Sequence, residues 1–185
     1  MELRPTRRIV TGHDSQGKAT VVFDTALQAK QRSVGGNGMA LLWVTGEFPI
    51  DAAGSSDRSQ TQVGVPPPAN GTVFRIVDFA PISPQSAPVD HEQFPLDGHR
   101  PGDARLCASR QYSPDKTIDY AIVLEGEIDM LLDDSAVHVK AGDVLVQQAT
   151  NRAWVNSRTK PCRIASFLID ANAPPAWRKN WQPRE

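Results

Sequence analysis

Two charged residues lie in short runs that are otherwise mostly apolar, and both residue types support chemistry on small organic molecules. Asp119 opens the run Asp-Tyr-Ala-Ile-Val-Leu-Glu-Gly, which ends seven residues later at Gly126. Arg152 lies in the run Asn-Arg-Ala-Trp-Val-Asn, four residues before Asn156. A carboxylate in apolar surroundings can act as a general acid or base, and an arginine fork donates two parallel hydrogen bonds to a planar oxyanion. These residue types therefore support proton transfer on a bound carboxylate or enolate.

Other signatures of catalysis are missing from the sequence. It contains no Gly-rich phosphate loop, no Ser–His–Asp arrangement and no dinucleotide fingerprint. Cys107 and Cys162 lie far apart and lack the spacing of metal ligands. A disulfide framework is therefore not expected, and a reducing cytoplasm is the predicted location.

Length and charge restrict the class of protein and its partners. A chain of 185 residues suits one domain. Its formal net charge of -1 gives no electrostatic reason to expect nucleic acid or an anionic membrane as a partner. No apolar run reaches the roughly 18 residues of a transmembrane helix, and the N-terminus lacks the apolar stretch of a signal peptide. We expect a cytoplasmic protein whose partner is a small molecule.

Short runs rich in β-branched and aromatic residues predict an all-β fold. The predicted strands are 8–11, 19–23, 39–45, 72–79, 117–124, 128–132, 137–140, 143–148, 153–156 and 162–169. Turn signals spaced by about 8–12 residues are typical of an antiparallel sandwich or barrel. The Pro- and Gly-rich segments 49–71 and 80–101 are predicted to be surface loops.

The stretch 119–156 resembles the two motifs of the cupin superfamily, in its conserved-barrel branch. The matching residues are Tyr120 to Gly126 followed by Glu127, Ala-Gly-Asp-Val at 141–144, Trp154 and Asn156. The resemblance implies a single cupin barrel (a double-stranded β-helix, or jelly roll) with an N-terminal strand extension and a short C-terminal helical tail. Its segments are then residues 1–80, N-terminal strands packing on the barrel; 81–104, a Pro-rich loop; 105–170, the barrel core motifs; and 171–185, the tail.

The same resemblance locates the metal-ligand positions of the family. An acid seven residues before the motif glycine corresponds to Asp119, and a histidine four residues before the motif asparagine corresponds to Arg152. The other positions fall at 112–115, which read Tyr-Ser-Pro-Asp. Arginine has no lone pair to give a cation, and catalytic metal sites generally need three or more imidazole or carboxylate ligands. We therefore expect no metal and no cofactor.

Two interpretations of Asp119 and Arg152 stay open. They can form a buried ion pair that fills the space left by the metal. Alternatively, Arg152 binds a substrate oxyanion while Asp119 moves a proton. Alternation along a strand places the small residues Ala121 and Val123 on the same face as Asp119, which leaves room for a ligand.

Five further residues are candidates for substrate binding on the barrel wall. They are Arg110, Tyr112, Gln147, Trp154 and Trp43. The Tyr112 hydroxyl can donate to an oxyanion, and one of Gln147 and Gln148 must face inward by alternation.

The leading prediction is a small-molecule-binding cupin, a lyase or isomerase that transfers protons without a metal in a dehydration, an isomerisation or a non-redox decarboxylation. One alternative is a metal-dependent cupin oxygenase or decarboxylase whose ligands include the loop histidines His91 and His99. The other is a non-catalytic binding or sensing barrel. Because two-fold dimers are the commonest soluble oligomers, we also expect a homodimer.

Overall fold

The computed structural model of the chain describes residues 3–31, 36–52, 56–82, 116–132, 135–150 and 152–173. These ranges contain eleven β-strands, one short 3-10 turn at Arg58–Gln60 and no α-helix. The strands are β1 Thr6–His13, β2 Ala19–Leu27, β3 Lys30–Gln31, β4 Gly38–Thr45, β5 Thr72–Phe79, β6 Thr117–Glu125, β7 Glu127–Leu131, β8 Ala136–Lys140, β9 Val144–Gln148, β10 Ala153–Val155 and β11 Cys162–Asp170. The all-β prediction is confirmed.

Three antiparallel sheets make up the described portion of the molecule. The main sheet has six strands in the order β3-β4-β5-β11-β6-β9, and a second sheet has the order β10-β7-β8. β1 and β2 pair with each other as a hairpin. The two larger sheets form the cupin barrel that the sequence predicts.

The barrel core lies between the main sheet and the three-stranded sheet. Its buried apolar side chains come from both sheets: Phe79, Ala121, Val123, Ile128, Met130, Val139, Trp154, Cys162 and Ile164. Full burial of one large apolar side chain stabilises a fold by about 1.5–3 kcal/mol. This cluster defines the interior face of the main sheet, and its opposite face is the outer face.

The N-terminal hairpin covers a portion of the outer face of its own main sheet. Leu27 and Ala29, on and just after β2, pack against a cluster formed by Ala40, Leu42, Ile76 and Ala165. The Arg8 Nη1 of β1 donates to the Leu42 carbonyl at 3.0 Å. The strand extension predicted from the resemblance is therefore present, and it packs on the chain's own sheet.

The predicted N-terminal segment, residues 1–80, needs a correction because it combines two kinds of strand. β1 and β2 pack on the barrel, but β4 and β5 are members of the main sheet. β5 pairs with β11 along its whole length, from Thr72 to Phe79. Main-sheet pairing joins strands that are distant in sequence, so the segments implied by the resemblance separated β4 and β5 from the barrel strands with which they pair.

The turn at Gly126 joins β6 to β7 and requires glycine. Its φ is +77°, and a Cβ added there would lie 2.6 Å from the Pro161 carbonyl oxygen. Both features exclude a side chain without local movement.

The predicted C-terminal helical tail falls largely outside the described residues, as does most of the Pro-rich loop. No helix in the described ranges is long and apolar enough to cross a membrane.

Candidate functional site

β6 brings Asp119 into the barrel. The alternate residues Thr117, Asp119, Ala121 and Val123 are all buried, whereas Tyr120 on the other face is exposed. The predicted alternation is therefore confirmed. Asp119 is only 1% exposed, which makes it one of the most buried side chains of the barrel.

β9 places Gln147 beside Asp119. The two residues are direct partners in the antiparallel β6–β9 ladder, and Gln147 is also buried. The Gln147 Nε2 donates to the Met130 sulfur at 2.8 Å. Since Met130 belongs to β7, this contact links the main sheet to the opposite sheet and fixes the orientation of the amide.

Arg152 approaches Asp119 from the segment that leads into β10. Its Nη2 donates to Asp119 Oδ2 in an ion pair whose two side chains are 7% and 1% exposed, and its Nη1 donates to the Thr150 carbonyl at 3.4 Å. Among the described residues, neither Asp119 Oδ1 nor Arg152 Nε has a hydrogen-bond partner. Buried polar atoms are nearly always paired, so such atoms point to a missing water or ligand or to a functional role.

A second arginine, Arg75, lies on the interior face of β5. It is buried, and its Nη1 donates to the Val65 carbonyl at 3.5 Å. Sequence reasoning missed this residue. A signal was available, because Arg75 alternates in phase with Val73, Val77 and Phe79 in a strand that is otherwise largely apolar.

A small cavity lies between these groups. Its volume is about 20 Å³, which is room for one water molecule and for no organic ligand. Arg75, Val77, Phe79, Ala121, Gln147, Arg152, Trp154, Ile164 and Ser166 line it. Asp119 is not among these residues; its carboxylate pairs with Arg152. The described barrel therefore contains a buried Asp119–Arg152 ion pair, as in the first of the two interpretations of the sequence. An organic ligand could enter this cavity only if side chains moved.

Two of the remaining predicted site residues are described, and they lie on opposite sides of the main sheet: Trp154 of β10 faces its interior side, and Trp43 lies on its outer face. Trp154 lines the cavity and packs against Phe79, with ring centroids 5.7 Å apart. Trp43 does not join this group: a register shift between Leu41 and Trp43 places it opposite Phe74 on the outer face. Arg110 and Tyr112 lie outside the described residues.

The donors of the described barrel do not fit a metal ion. Within the described ranges, no three residues of the histidine, cysteine, aspartate or glutamate type are grouped so that they could hold one. His13 and His138 are exposed at strand positions away from the cavity. Of the family's ligand positions that the structure describes, only the one at Asp119 has a carboxylate. Its neighbour is the Arg152 guanidinium, which would repel a cation. His91 and His99 lie outside the described residues.

The core thiol is not poised as a nucleophile. Cys162 is fully buried in the barrel core. Burial raises the pKa of this thiol to about 12, and the thiolate is the reactive form. Covalent catalysis at Cys162 is therefore disfavoured.

Comparisons with known proteins agree with this fold. No protein-family model matches the chain. A cupin-domain-containing oxidoreductase of Hypocrea virens is 32% identical over 179 residues, which make up 91% of this chain and 77% of that protein. Phomopsin biosynthesis cluster protein C' of Diaporthe leptostromiformis is 32% identical over 180 residues, or 92% of this chain and 81% of that protein.

Among solved structures, the cupin domain of Schizosaccharomyces pombe Cnp3 covers 96% of this chain and 98% of that domain, at 10% identity and a TM-score of 0.48. The family assignment depends on the curated relatives and not on this likeness. The two relatives named above are each 32% identical to this chain over most of their own length and of the chain. The chain therefore belongs to the cupin superfamily.

Proposed function

We propose that the barrel binds a small oxygenated or carboxylate-bearing molecule at Arg152, and that Asp119 moves a proton on it. The reaction class is a dehydration, an isomerisation or a non-redox decarboxylation. The observation that carries the proposal is the buried Asp119–Arg152 ion pair beside the cavity, with one carboxylate oxygen and one guanidinium nitrogen unpartnered in the described structure.

Binding would begin by exchange of one anion for another. A substrate carboxylate has the same planar geometry as the Asp119 carboxylate, so it can take its place on the Arg152 fork. Arg75, Gln147 and Ser166 lie on the same cavity wall and offer further donors. The cavity of about 20 Å³ must widen as this happens.

The displaced Asp119 carboxylate then serves as the proton carrier. It takes a proton from the carbon beside the substrate carbonyl, and the electron pair of that C–H bond moves into the carbonyl to form an enolate. Arg152 stabilises the enolate oxygen by charge-assisted hydrogen bonds. Return of the proton to a different carbon completes an isomerisation, and its transfer to a departing hydroxyl group completes a dehydration.

A second candidate function comes from the names of the relatives. The Hypocrea virens protein is named an oxidoreductase, so this chain can be proposed as a redox enzyme. A redox activity would need an electron carrier. The side chains of the described barrel do not offer a set of ligands for a metal ion in that role. A non-catalytic binding or sensing barrel is the third candidate.

Native mass spectrometry followed by isotope exchange tests the proposal. The molecule retained through purification is identified and then incubated with the protein in D2O. We expect deuterium to enter at the carbon beside the carbonyl with wild-type protein, and to enter at the background rate with Asp119→Asn. Exchange that persists in Asp119→Asn would refute the assigned role of this carboxylate.

Arg152→Met separates binding from proton transfer. If Arg152 holds the oxyanion, this variant should retain no anionic ligand in the native mass spectrum while its folded fraction keeps the wild-type secondary structure. A net change in the oxidation level of the ligand, detected in the same incubation, would instead favour the redox candidate.

A further inference from the structure

A groove much larger than the barrel cavity lies on the outer face of the main sheet. It runs between β1 and the end of β4, and its volume is about 680 Å³. Small-molecule sites typically have volumes of about 300–1,000 Å³. One wall consists of residues 8–11 of β1, and the other consists of residues 45–47 and 50–52. The groove shares no lining residue with the barrel cavity.

The floor of the groove is aromatic. Trp43 of β4 pairs with Phe74 of β5, and Phe74 pairs with Phe167 of β11. These side chains therefore form one row across three adjacent strands. The rings of Phe74 and Phe167 are stacked, with centroids 4.0 Å apart and planes 14° apart. All three residues line the groove, so it presents a broad aromatic surface.

The buried cation of the groove, Arg8, is neutralised by an ion pair. Arg8 lines the groove, and both of its Nη atoms donate to the Asp57 carboxylate, at 2.6 and 2.9 Å. The Arg8 guanidinium also lies 5.9 Å from the ring centroid of Trp43, within cation–π range. At the rim, one cation, Arg58, lies with two acidic residues, Glu47 and Asp51, so the groove has one net negative charge. This charge offers no attraction for an anionic ligand.

We infer that this outer groove is a second small-molecule site, and that its ligand is a planar aromatic compound without negative charge. A flat ring can lie on the Trp43–Phe74–Phe167 row in offset or edge-to-face contact, which adds to the benefit of apolar burial. A saturated ring of the same size cannot make those ring contacts. The site is separate from the barrel, so it does not depend on the function proposed above.

Calorimetric titration with 2-naphthol, an uncharged bicyclic aromatic, tests the inference. We expect one 2-naphthol per chain, bound about tenfold more tightly than decahydro-2-naphthol, its saturated analogue. 2-Naphthoate, which has the same rings with a negative charge, should bind no more tightly than 2-naphthol. Equal affinity for the aromatic and saturated compounds, or no binding of 2-naphthol, would overturn the inference.

Three variants locate the bound probe. Ala52→Trp fills the groove from an exposed position and should abolish 2-naphthol binding. Val144→Trp places the same side chain at an exposed position of the main sheet outside the groove, and should leave the affinity unchanged. The double variant Asp119→Leu/Arg152→Met alters the barrel without leaving an unpaired buried charge, and it should also leave the affinity unchanged. Loss of binding in this double variant but not in Ala52→Trp would place the probe in the barrel and refute the outer site.

Trp43→Leu tests the aromatic floor directly and should weaken 2-naphthol binding by about tenfold. If this variant does not fold, Ala52→Trp still decides the question, because its position is exposed. Sedimentation tests the other possible occupant of the groove, a second copy of the chain. If a second copy of the chain fills the groove, 2-naphthol will not bind and Ala52→Trp will convert a wild-type dimer to monomer, which would overturn the inference.

Discussion

Removal of one partner from the Asp119–Arg152 ion pair should strongly destabilise the fold. In Arg152→Met, the Asp119 carboxylate, 1% exposed, loses its cationic partner. Its other oxygen already lacks a hydrogen-bond partner among the described residues. An uncompensated buried charge of this kind typically costs about 3–5 kcal/mol. For a chain of this size, that corresponds to a fall in melting temperature of about 6–20 °C.

The double variant Asp119→Leu/Arg152→Met sharpens this prediction. It removes both charges at once, so no unpaired charge stays buried, and it should be more stable than either single variant. Urea unfolding of the wild type, both single variants and the double variant gives the coupling free energy of the pair. The exposed pair Arg7–Asp24 is the matched control, and Arg7→Met should leave the melting temperature unchanged.

A small effect would refute the reasoning. If Arg152→Met changed stability by no more than about 0.5 kcal/mol, as most surface substitutions do, the pair would not be desolvated in solution. A coupling free energy near zero would lead to the same conclusion.

Three further predictions concern other regions of the molecule. Because burial raises the pKa of Cys162 to about 12, its thiol should resist iodoacetamide in the folded protein and react only after unfolding; rapid labelling of Cys162 itself in the native state would contradict this. Hydrogen bonds from Arg8 hold the pKa of Asp57 well below its usual value of 3.8, so the carboxylate stabilises the fold above that pH and the contribution fades as pH falls. Asp57→Asn should therefore be less stable than wild type at neutral pH, and the difference in free energy of unfolding, measured in urea, should shrink in acid. A difference that does not change with pH would contradict this role of Asp57. The expected homodimer should sediment at twice the mass of one chain, and a stable monomer at micromolar concentration would argue against it.

Strand positions could be predicted closely from the sequence. β5 begins and ends at the predicted residues, and β6 and β11 extend only one residue beyond the predicted ends. Each of these strands is a run of β-branched and aromatic residues bounded by turn residues. The location of Ala121 and Val123 on the same face as Asp119 followed from the same period of two, because β6 is regular along its pairing with β9.

The location of Trp43 could not be predicted from periodicity. Leu41 lies opposite Arg75 on the interior face, so a regular strand would place Trp43 on that face too. The register shift between Leu41 and Trp43 reverses the alternation. An irregularity of one residue depends on the pairing with β5, and local sequence does not contain that information.

The role of Arg75 shows a different limit of sequence reasoning. The family pattern directs attention to the two motifs in the second half of the chain, whereas Arg75 belongs to β5 in the first half. The long-range pairing of β5 with β11 brings it to the same cavity as Arg152. A search for charged residues in phase with apolar ones in every predicted strand would have found it.

The metal content of the purified protein decides whether the barrel works without a bound metal ion. The protein is produced in medium that contains iron, manganese, zinc and nickel, treated with a mild chelator and examined by elemental analysis. We predict far less than one transition-metal ion per chain, because Arg152 stands where a ligand would be needed. One equivalent that survives chelation would contradict this prediction and would direct attention to Asp119, His91 and His99 as ligands.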